Sequence, residues 1–269
     1  MTQNRTLRRV QASPTRLAWY EFTGEPLSSH SGFKHAMLTR LGGVSRGAYA
    51  SLNLGGTVGD RPEDVYKNHD KVYETLGIAA GQVVSPEQVH QDGVARVTLA
   101  HGGTVIPKTD ALITDEAYVV MLLRFADCVP VLFYDPVHHA AGLAHAGWRG
   151  VAAEVVPATV QAMVDAFGTK PEALWAGIGP CIGIDHYCVG EEVVTAIQST
   201  LPVGVNITEQ REGQWAIDLA SAVEAQLNVA GVEQVGKADL CTACHTEEWY
   251  SHRGEQGKTG RFGVVVMLA

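Results

Sequence analysis

Three strings in this 269-residue chain each carry one soft or borderline metal donor where an apolar run gives way to a turn. They are Glu87-Gln88-Val89-His90, Ala126-Asp127-Cys128-Val129-Pro130 and Ala144-His145-Ala146-Gly147-Trp148-Arg149-Gly150. A thiolate with two imidazoles is a set that zinc accepts, and three protein ligands leave the fourth tetrahedral position open for water or substrate, as a catalytic site needs. The spacing matches no short finger-type rule. On spacing alone, a buried thiol and two hydrogen-bonded core histidines remain the default reading.

Other strings invite sharper readings than they support. Cys241-Thr242-Ala243-Cys244-His245 spells the c-type haem attachment pattern. Haem attachment requires export, and Met1 to Trp19 is arginine-bearing and polar, with no apolar core of the length a secretory signal needs. The same cysteine pair could chelate a metal or form a redox disulfide, but an ordinary role for both thiols is the preferred reading. His245-Thr246-Glu247 and Pro180-Cys181 imitate the halves of a zinc nucleobase deaminase signature, in reversed order and with Ile184 where its second cysteine belongs. Gly177-Ile178-Gly179-Pro180-Cys181-Ile182-Gly183 does not match dinucleotide or P-loop spacing, and reads as a tight turn lining a pocket. Trp249 and Tyr250, followed by Arg253 and Lys258, suit purine stacking no better than core packing beside a solvated loop.

The elements that must position these donors alternate short apolar runs with helical patterns. Tyr118 to Phe125, Val129 to Tyr134, Ala140 to Ala144 and Ala173 to Ile178 are rich in Val, Leu and Ala and bounded by turn residues, so they read as buried strands. Pro62 to Leu76 places Val65, Val72 and Leu76 on one face, with charges between, and predicts a helix opening after Asp60. Gly150 to Phe167, with Val156, Val160, Met163 and Phe167 at helical spacing, predicts a second, and Asp218 to Val229 a third. The expectation is an α/β chain of the α+β type, with layered mixed β-sheets covered by helices. A polar segment, residues 1–20, precedes one catalytic domain over 21–269. No repeat period or linker interrupts it.

A chain with 46% hydrophobic residues can bury a full core without disulfides. Its 29 Asp and Glu against 20 Lys and Arg disfavour a nucleic acid or anionic membrane partner, since both need basic surface. The apolar runs, Val264 to Leu268 among them, fall far short of the roughly 20 residues that span a bilayer. Five cysteines, an odd count, fit a reducing cytoplasm better than a disulfide framework.

Eight strings, in order, resemble the YfiH-type laccase-domain family. They are Thr39-Arg40-Leu41-Gly42-Gly43-Val44-Ser45, Ser51-Leu52-Asn53-Leu54, Gln88-Val89-His90, Asp110-Ala111-Leu112-Ile113-Thr114, Ala126-Asp127-Cys128-Val129-Pro130, His145-Ala146-Gly147-Trp148-Arg149-Gly150, Gly179-Pro180-Cys181-Ile182-Gly183 and Asp239-Leu240-Cys241-Thr242. The likeness runs from about Arg40 onward. It implies a zinc-binding protein of a group labelled first as polyphenol oxidases and later as purine nucleoside phosphorylases that also deaminate adenosine. It implies His90, Cys128 and His145 as zinc ligands, and a layered fold shared distantly with the catalytic domain of cytotoxic necrotizing factor. Adenosine, inosine and methylthioadenosine, with phosphate, are the small-molecule partners it implies.

Residue chemistry adds candidate roles. A three-ligand zinc can bring the pKa of bound water to about 7, which suits deamination at neutral pH. Phosphorolysis instead needs phosphate held at the anomeric carbon, and the planar guanidinium fork of Arg149 or Arg40 suits it; a surface salt bridge is the plainer role for Arg149. Asp127 could act as general acid or base, orient a histidine, or serve only as a structural acceptor. Asn53 could bind substrate, although an Asn before a Gly-Gly pair often makes a turn. Three rival readings remain: a copper polyphenol oxidase, since Cu2+ tolerates the same ligands; a cysteine hydrolase with Cys128 as nucleophile; and a scaffold with a closed, four-ligand zinc. The chain has no His-x-His string of the kind a multicopper relay uses.

Overall fold

The computed structural model describes residues 7–269. Its central strands read as continuous apolar runs because they are buried on both faces. The larger sheet orders β1 (Leu7–Gln11), β2 (Ala18–Phe22), β3 (Phe33–Leu38), β16 (Phe262–Leu268), β8 (Val120–Phe125), β4 (Val83–Pro86) and β6 (Val105–Ile106). The second orders β15 (Gln234–Lys237), β11 (Trp175–Ile178), β9 (Val129–Asp135), β10 (Ala140–Ala146), β7 (Ala111–Thr114) and β5 (Val94–Arg96). Both mix parallel and antiparallel pairs. A small third sheet joins β12 (Cys188–Val189), β14 (Gln214–Ile217) and β13 (Thr208–Arg211).

Alternation along the strands sorts the core into layers. Met121, Leu123 and Phe125 of β8 meet Leu132 and Tyr134 of β9 in one cluster between the sheets. Val120 and Leu122 turn the other way, toward Val72 of helix α1 (Pro62–Leu76). Val131 and Phe133 of β9 face α3 (Val155–Phe167) and α5 (Leu219–Val229), through Val160, Met163, Val223 and Leu227. The result is helix, sheet, sheet, helices, an α+β arrangement of mixed sheets, as the sequence predicts. Burying a side chain such as Val72 contributes about 1.5–3 kcal/mol before entropy is counted.

Helix α1 begins and ends where expected, with Pro62 in its first turn and Gly77 at φ 67° closing it. The predicted helix over Gly150 to Phe167 is instead two, α2 (Trp148–Ala152) and α3, because Glu154 takes a left-handed φ of 62° between them. A further helix, α4 (Glu191–Gln198), packs against α2 and against β14 of the small third sheet. The expected boundary at residue 20 falls inside β2, and from Leu7 the segment pairs into the larger sheet in register Leu7↔Phe22 to Gln11↔Ala18. The first six residues lie outside the described residues. Among the described residues, no helix is long and apolar enough to cross a membrane.

Candidate metal centre

Strand register assembles the centre at one end of the second sheet. In the antiparallel β9–β10 pair, Ala146 lies opposite Val129, so Cys128 emerges beside His145 and Gly147. In the β10–β7 pair, Ala144 lies opposite Ala111, which sets Asp110 beside His145; the His145 amide donates to the Asp110 carbonyl at 2.8 Å. The parallel β5–β7 pair then carries the loop that precedes Val94 to the same spot, with the Asp110 amide donating to the Gly93 carbonyl at 2.9 Å. His90 sits in that loop at a left-handed φ of 61°.

One ligand atom from each of His90, Cys128 and His145 lies within 4.8 Å of the others. Tetrahedral zinc, with bonds of about 2.0–2.3 Å, needs its ligand atoms about 3.3–3.8 Å apart, so small side-chain movements bring the three onto one ion. The imidazole rings of His90 and His145 meet edge to face, centroids 4.8 Å apart. Gly147 is where the chain passes closest: a Cβ there would stand 2.9 Å from Cys128 Sγ and 3.0 Å from His90 Cδ2.

Asp110 organises the set. It is fully buried, and its Oδ1 accepts from the His90 amide at 3.0 Å and bonds His145 Nδ1 at 2.9 Å. Its Oδ2 accepts from the amides of Val89 at 3.0 Å and Gln91 at 2.9 Å. Burial alone would raise its pKa, but these donors and the His145 charge hold it below the usual carboxylate range. With Nδ1 committed to a carboxylate, His145 has Nε2 left for a metal, the arrangement that fixes a ligating imidazole's tautomer.

Burial would push the Cys128 thiol up, yet the imidazoles of His145 and His90 hold it down to about 6. Burial would lower His145, and the Cys128 sulfur and Asp110 carboxylate raise it to about 9. Both shifts favour the charged pair, a thiolate beside an imidazolium, over the neutral one. A depressed thiol suits metal ligation, which takes the thiolate. The donor set of one sulfur and two nitrogens fits zinc and does not exclude copper.

The other predicted site residues divide. Arg149 is exposed, with its guanidinium 4.3 Å above the Trp148 ring, and among the described residues no carboxylate pairs with it. Asp127 adjoins Cys128 but is not aimed at either histidine. Its Oδ1 accepts from Thr242 Oγ1 at 2.7 Å and its Oδ2 from the Arg253 amide at 2.6 Å, so it pins the turn, in which it takes a φ of 84°. The orienting carboxylate is Asp110 instead.

Arg40 and Asn53, the other two expected substrate-binding residues, engage partners within the protein. Arg40 donates through Nε to the Ala50 carbonyl at 2.7 Å and through Nη1 to the Thr246 carbonyl at 2.7 Å and Glu255 at 3.0 Å, and it lies over the Tyr250 ring. That guanidinium ties loops together. Asn53 is fully buried, its Oδ1 accepting from the Gly55 and Arg261 amides and its Nδ2 donating to Gly55 and Asp60. Its amide is spent inside the protein. Trp249 and Tyr250 are likewise core.

Sequence reasoning assigned no role to Asp110, although its string was among the eight. It also passed over Tyr187 and Arg261. Burial and then the Cys128 charge push the Tyr187 hydroxyl up. Burial lowers the pKa of Arg261, opposed by the charges of Cys128 and Asp127. A groove of about 720 Å³ runs past Trp148, Tyr187, Trp215 and Arg253, starting one residue beyond Gly147.

Residues 34–269 match the family model described as "Multi-copper polyphenol oxidoreductase laccase". The chain is 38% identical over 242 residues to "Purine nucleoside phosphorylase YlmD" of Geobacillus stearothermophilus, covering 86% of this chain and 88% of that one. It is 36% identical over 256 residues to "Purine nucleoside phosphorylase" of Bacteroides thetaiotaomicron, covering 91% and 94%. The crystal structure of YlmD from Geobacillus stearothermophilus superposes with a TM-score of 0.90 at 34% identity, over 97% of this chain and 98% of that chain. YfiH of Bacillus licheniformis superposes at 0.87 with 30% identity, over 97% and 99%. On that match and these likenesses, the chain belongs to the multi-copper polyphenol oxidoreductase laccase family, the YfiH-type family its motifs resemble.

Proposed function

We propose that this chain is a zinc-dependent purine nucleoside phosphorylase that also deaminates adenosine, working in the cytoplasm, where its five free cysteines stay reduced. The observation that carries the reading is the His90, Cys128 and His145 cluster, oriented by Asp110 and opening beside an aromatic groove. The names of the relatives at 36–38% identity supply the substrate class. His90, Cys128 and His145 would hold the metal. When bound, zinc supplies a Lewis acid with one open position, able to acidify water and polarise a substrate oxygen.

The protein's own groups do the rest. Trp148, Tyr187 and Trp215 offer faces on which a purine can stack. Arg149, free of a carboxylate, presents its fork to phosphate beside the same groove. In phosphorolysis the bond between the sugar's anomeric carbon and the base nitrogen breaks, a phosphate oxygen bonds that carbon, and the base nitrogen takes up a proton. In deamination water adds at the purine C6 and ammonia leaves. Purified, zinc-loaded protein should release base and ribose 1-phosphate from inosine, adenosine or methylthioadenosine in phosphate buffer, and ammonia from adenosine. If none of these products forms with any of the three nucleosides, the reading is wrong.

A second reading rests on one arrangement: Cys128, His145 and Asp110 run thiol, imidazole, carboxylate, the order of a cysteine hydrolase. It requires activity in metal-stripped protein that iodoacetamide abolishes at Cys128. A polyphenol oxidase, the family's descriptive label, requires copper-dependent oxygen uptake on a phenol.

A further inference from the structure

Away from the centre just described, His186, Cys241 and Cys244 bring one donor atom each to within 4.8 Å of one another. The cluster lies where two loops meet. An isolated parallel bridge joins Cys181 to Cys241, with the Cys181 amide donating to the Leu240 carbonyl at 3.2 Å and the Thr242 amide to the Cys181 carbonyl at 3.0 Å. The short 3-10 turn Ile184–His186 then points back over the cysteines. Cys241 Sγ accepts from the Gly183 amide at 3.2 Å, and a Cβ on Gly183 would stand 3.2 Å from that sulfur. His186 Nε2 lies 3.2 Å from Cys244 Sγ. His245, the histidine of the haem-like string, instead bonds Glu247.

We propose that His186, Cys241 and Cys244 form a second site, for a thiophilic divalent cation of the zinc class, held by two thiolates and one imidazole with a fourth position open to solvent. Two sulfurs and a nitrogen at this separation are the donors such a cation selects, and hard cations such as Mg2+ or Ca2+ are not held by them. His186 and Cys244 are exposed, so the site can load and exchange without unfolding. Its loops also reach the first centre: Thr242 Oγ1 donates to Asp127 at 2.7 Å, and the Ile182 amide donates to the Asp127 carbonyl at 3.0 Å. A cation there would staple together the two loops that hold the Cys128 turn in place.

The test uses the full chain, fully reduced and stripped of metal, titrated with Co2+ alone. The variant C128S disables the first centre, so its remaining uptake reports the second. It should bind Co2+ with sulfur-to-cobalt charge-transfer absorption, and C128S/C244S and C128S/H186A should lose that absorption and one equivalent of metal. Should C128S fail to fold, zinc content answers in the otherwise native chain: C244S and H186A, both surface changes, should each lose one equivalent relative to it. Equal metal content and equal spectra with and without Cys244 would overturn the proposal. The readout needs no substrate, so a chain that fails to cleave nucleosides could still pass it, and an active one could still fail it.

Discussion

Asp110→Asn puts the organisation of the metal centre to its strongest trial, because the change is nearly isosteric and removes one acceptor oxygen. The carboxylate serves two donors on each oxygen, the His90 amide and His145 Nδ1 on one, the Val89 and Gln91 amides on the other. An asparagine can keep only one of those faces. If its carbonyl stays toward His145, its NH2 group confronts the Val89 and Gln91 amides; if it flips, the imidazole loses its acceptor. Either way two hydrogen bonds to a charged group disappear, worth about 1.5–3 kcal/mol each and thus about 3–6 kcal/mol together. Loop relaxation makes the upper figure a ceiling, yet even the lower one is a large part of a domain's total stability of about 5–15 kcal/mol. Zinc affinity should fall about 10–100-fold, the usual effect of removing the carboxylate behind a ligating histidine. The measurements are urea unfolding of metal-free protein and zinc competition against a chromophoric chelator. The D110N protein would refute the reasoning if it bound zinc within a factor of about two of the parent and unfolded within about 1 kcal/mol of it, well inside the loss just worked out.

Gly147→Ala should weaken zinc binding at least about tenfold, read by the same competition, since its Cβ would press on Cys128 Sγ and the His90 ring. In metal-stripped protein, alkylation of Cys128 by iodoacetamide should rise with pH through about 6, because the neighbouring imidazoles depress the thiol, and H145A should move that midpoint upward. Arg149→Ala should raise the KM for phosphate about tenfold or more with an unchanged melting temperature, as expected of an exposed phosphate ligand. Arg40→Ala should do the reverse, lowering stability by about 1–3 kcal/mol in urea titrations, because it removes the donor from Glu255 Oε1 and from two part-buried carbonyls. The paired carboxylate Asp110, held below its usual range, stabilises at neutral pH; that contribution should vanish as pH falls through its depressed pKa, and D110N should flatten the acid limb of stability against pH.

The meeting of His90, Cys128 and His145 was legible because these residue types are chemically distinctive and each sits in a recognisable string, even though only strand register brings them together. Helix α1 was legible for a local reason: its apolar face, its proline start and its glycine stop all lie within one stretch. What the sequence hid was mostly long-range. Asp110 cannot be told from any other aspartate until the β7–β10 register sets it against His145, and Arg40 looks like a phosphate ligand until Glu255 and the Thr246 carbonyl arrive from far along the chain. The internal partners of Asn53 were hidden for the same reason, since the Arg261 amide that takes up its carbonyl is equally remote. The break at Glu154 escaped because the apolar spacing continues across it, and spacing carries no record of a left-handed residue. Leu7–Gln11 sets two adjacent arginines between Leu7 and Val10 at an exposed edge, with no period-2 alternation to announce a strand.

The larger sheet has a seam with implications for how the protein is made. Strand β16 lies between β3 and β8, pairing Val264 with Met37 on one side and with Leu123 on the other. Until residues beyond Phe262 leave the ribosome, β3 and β8 each present a bare apolar edge with unpaired amides and carbonyls. The two halves of that sheet, β1 to β3 on one side and β8, β4 and β6 on the other, join only through this insertion, so its completion is a late, non-local event of the kind that folds slowly. A nascent chain stalled before that point would offer two sticky edges to its neighbours, and a peptide spanning 262–269 supplied in trans is the natural reagent to cap them.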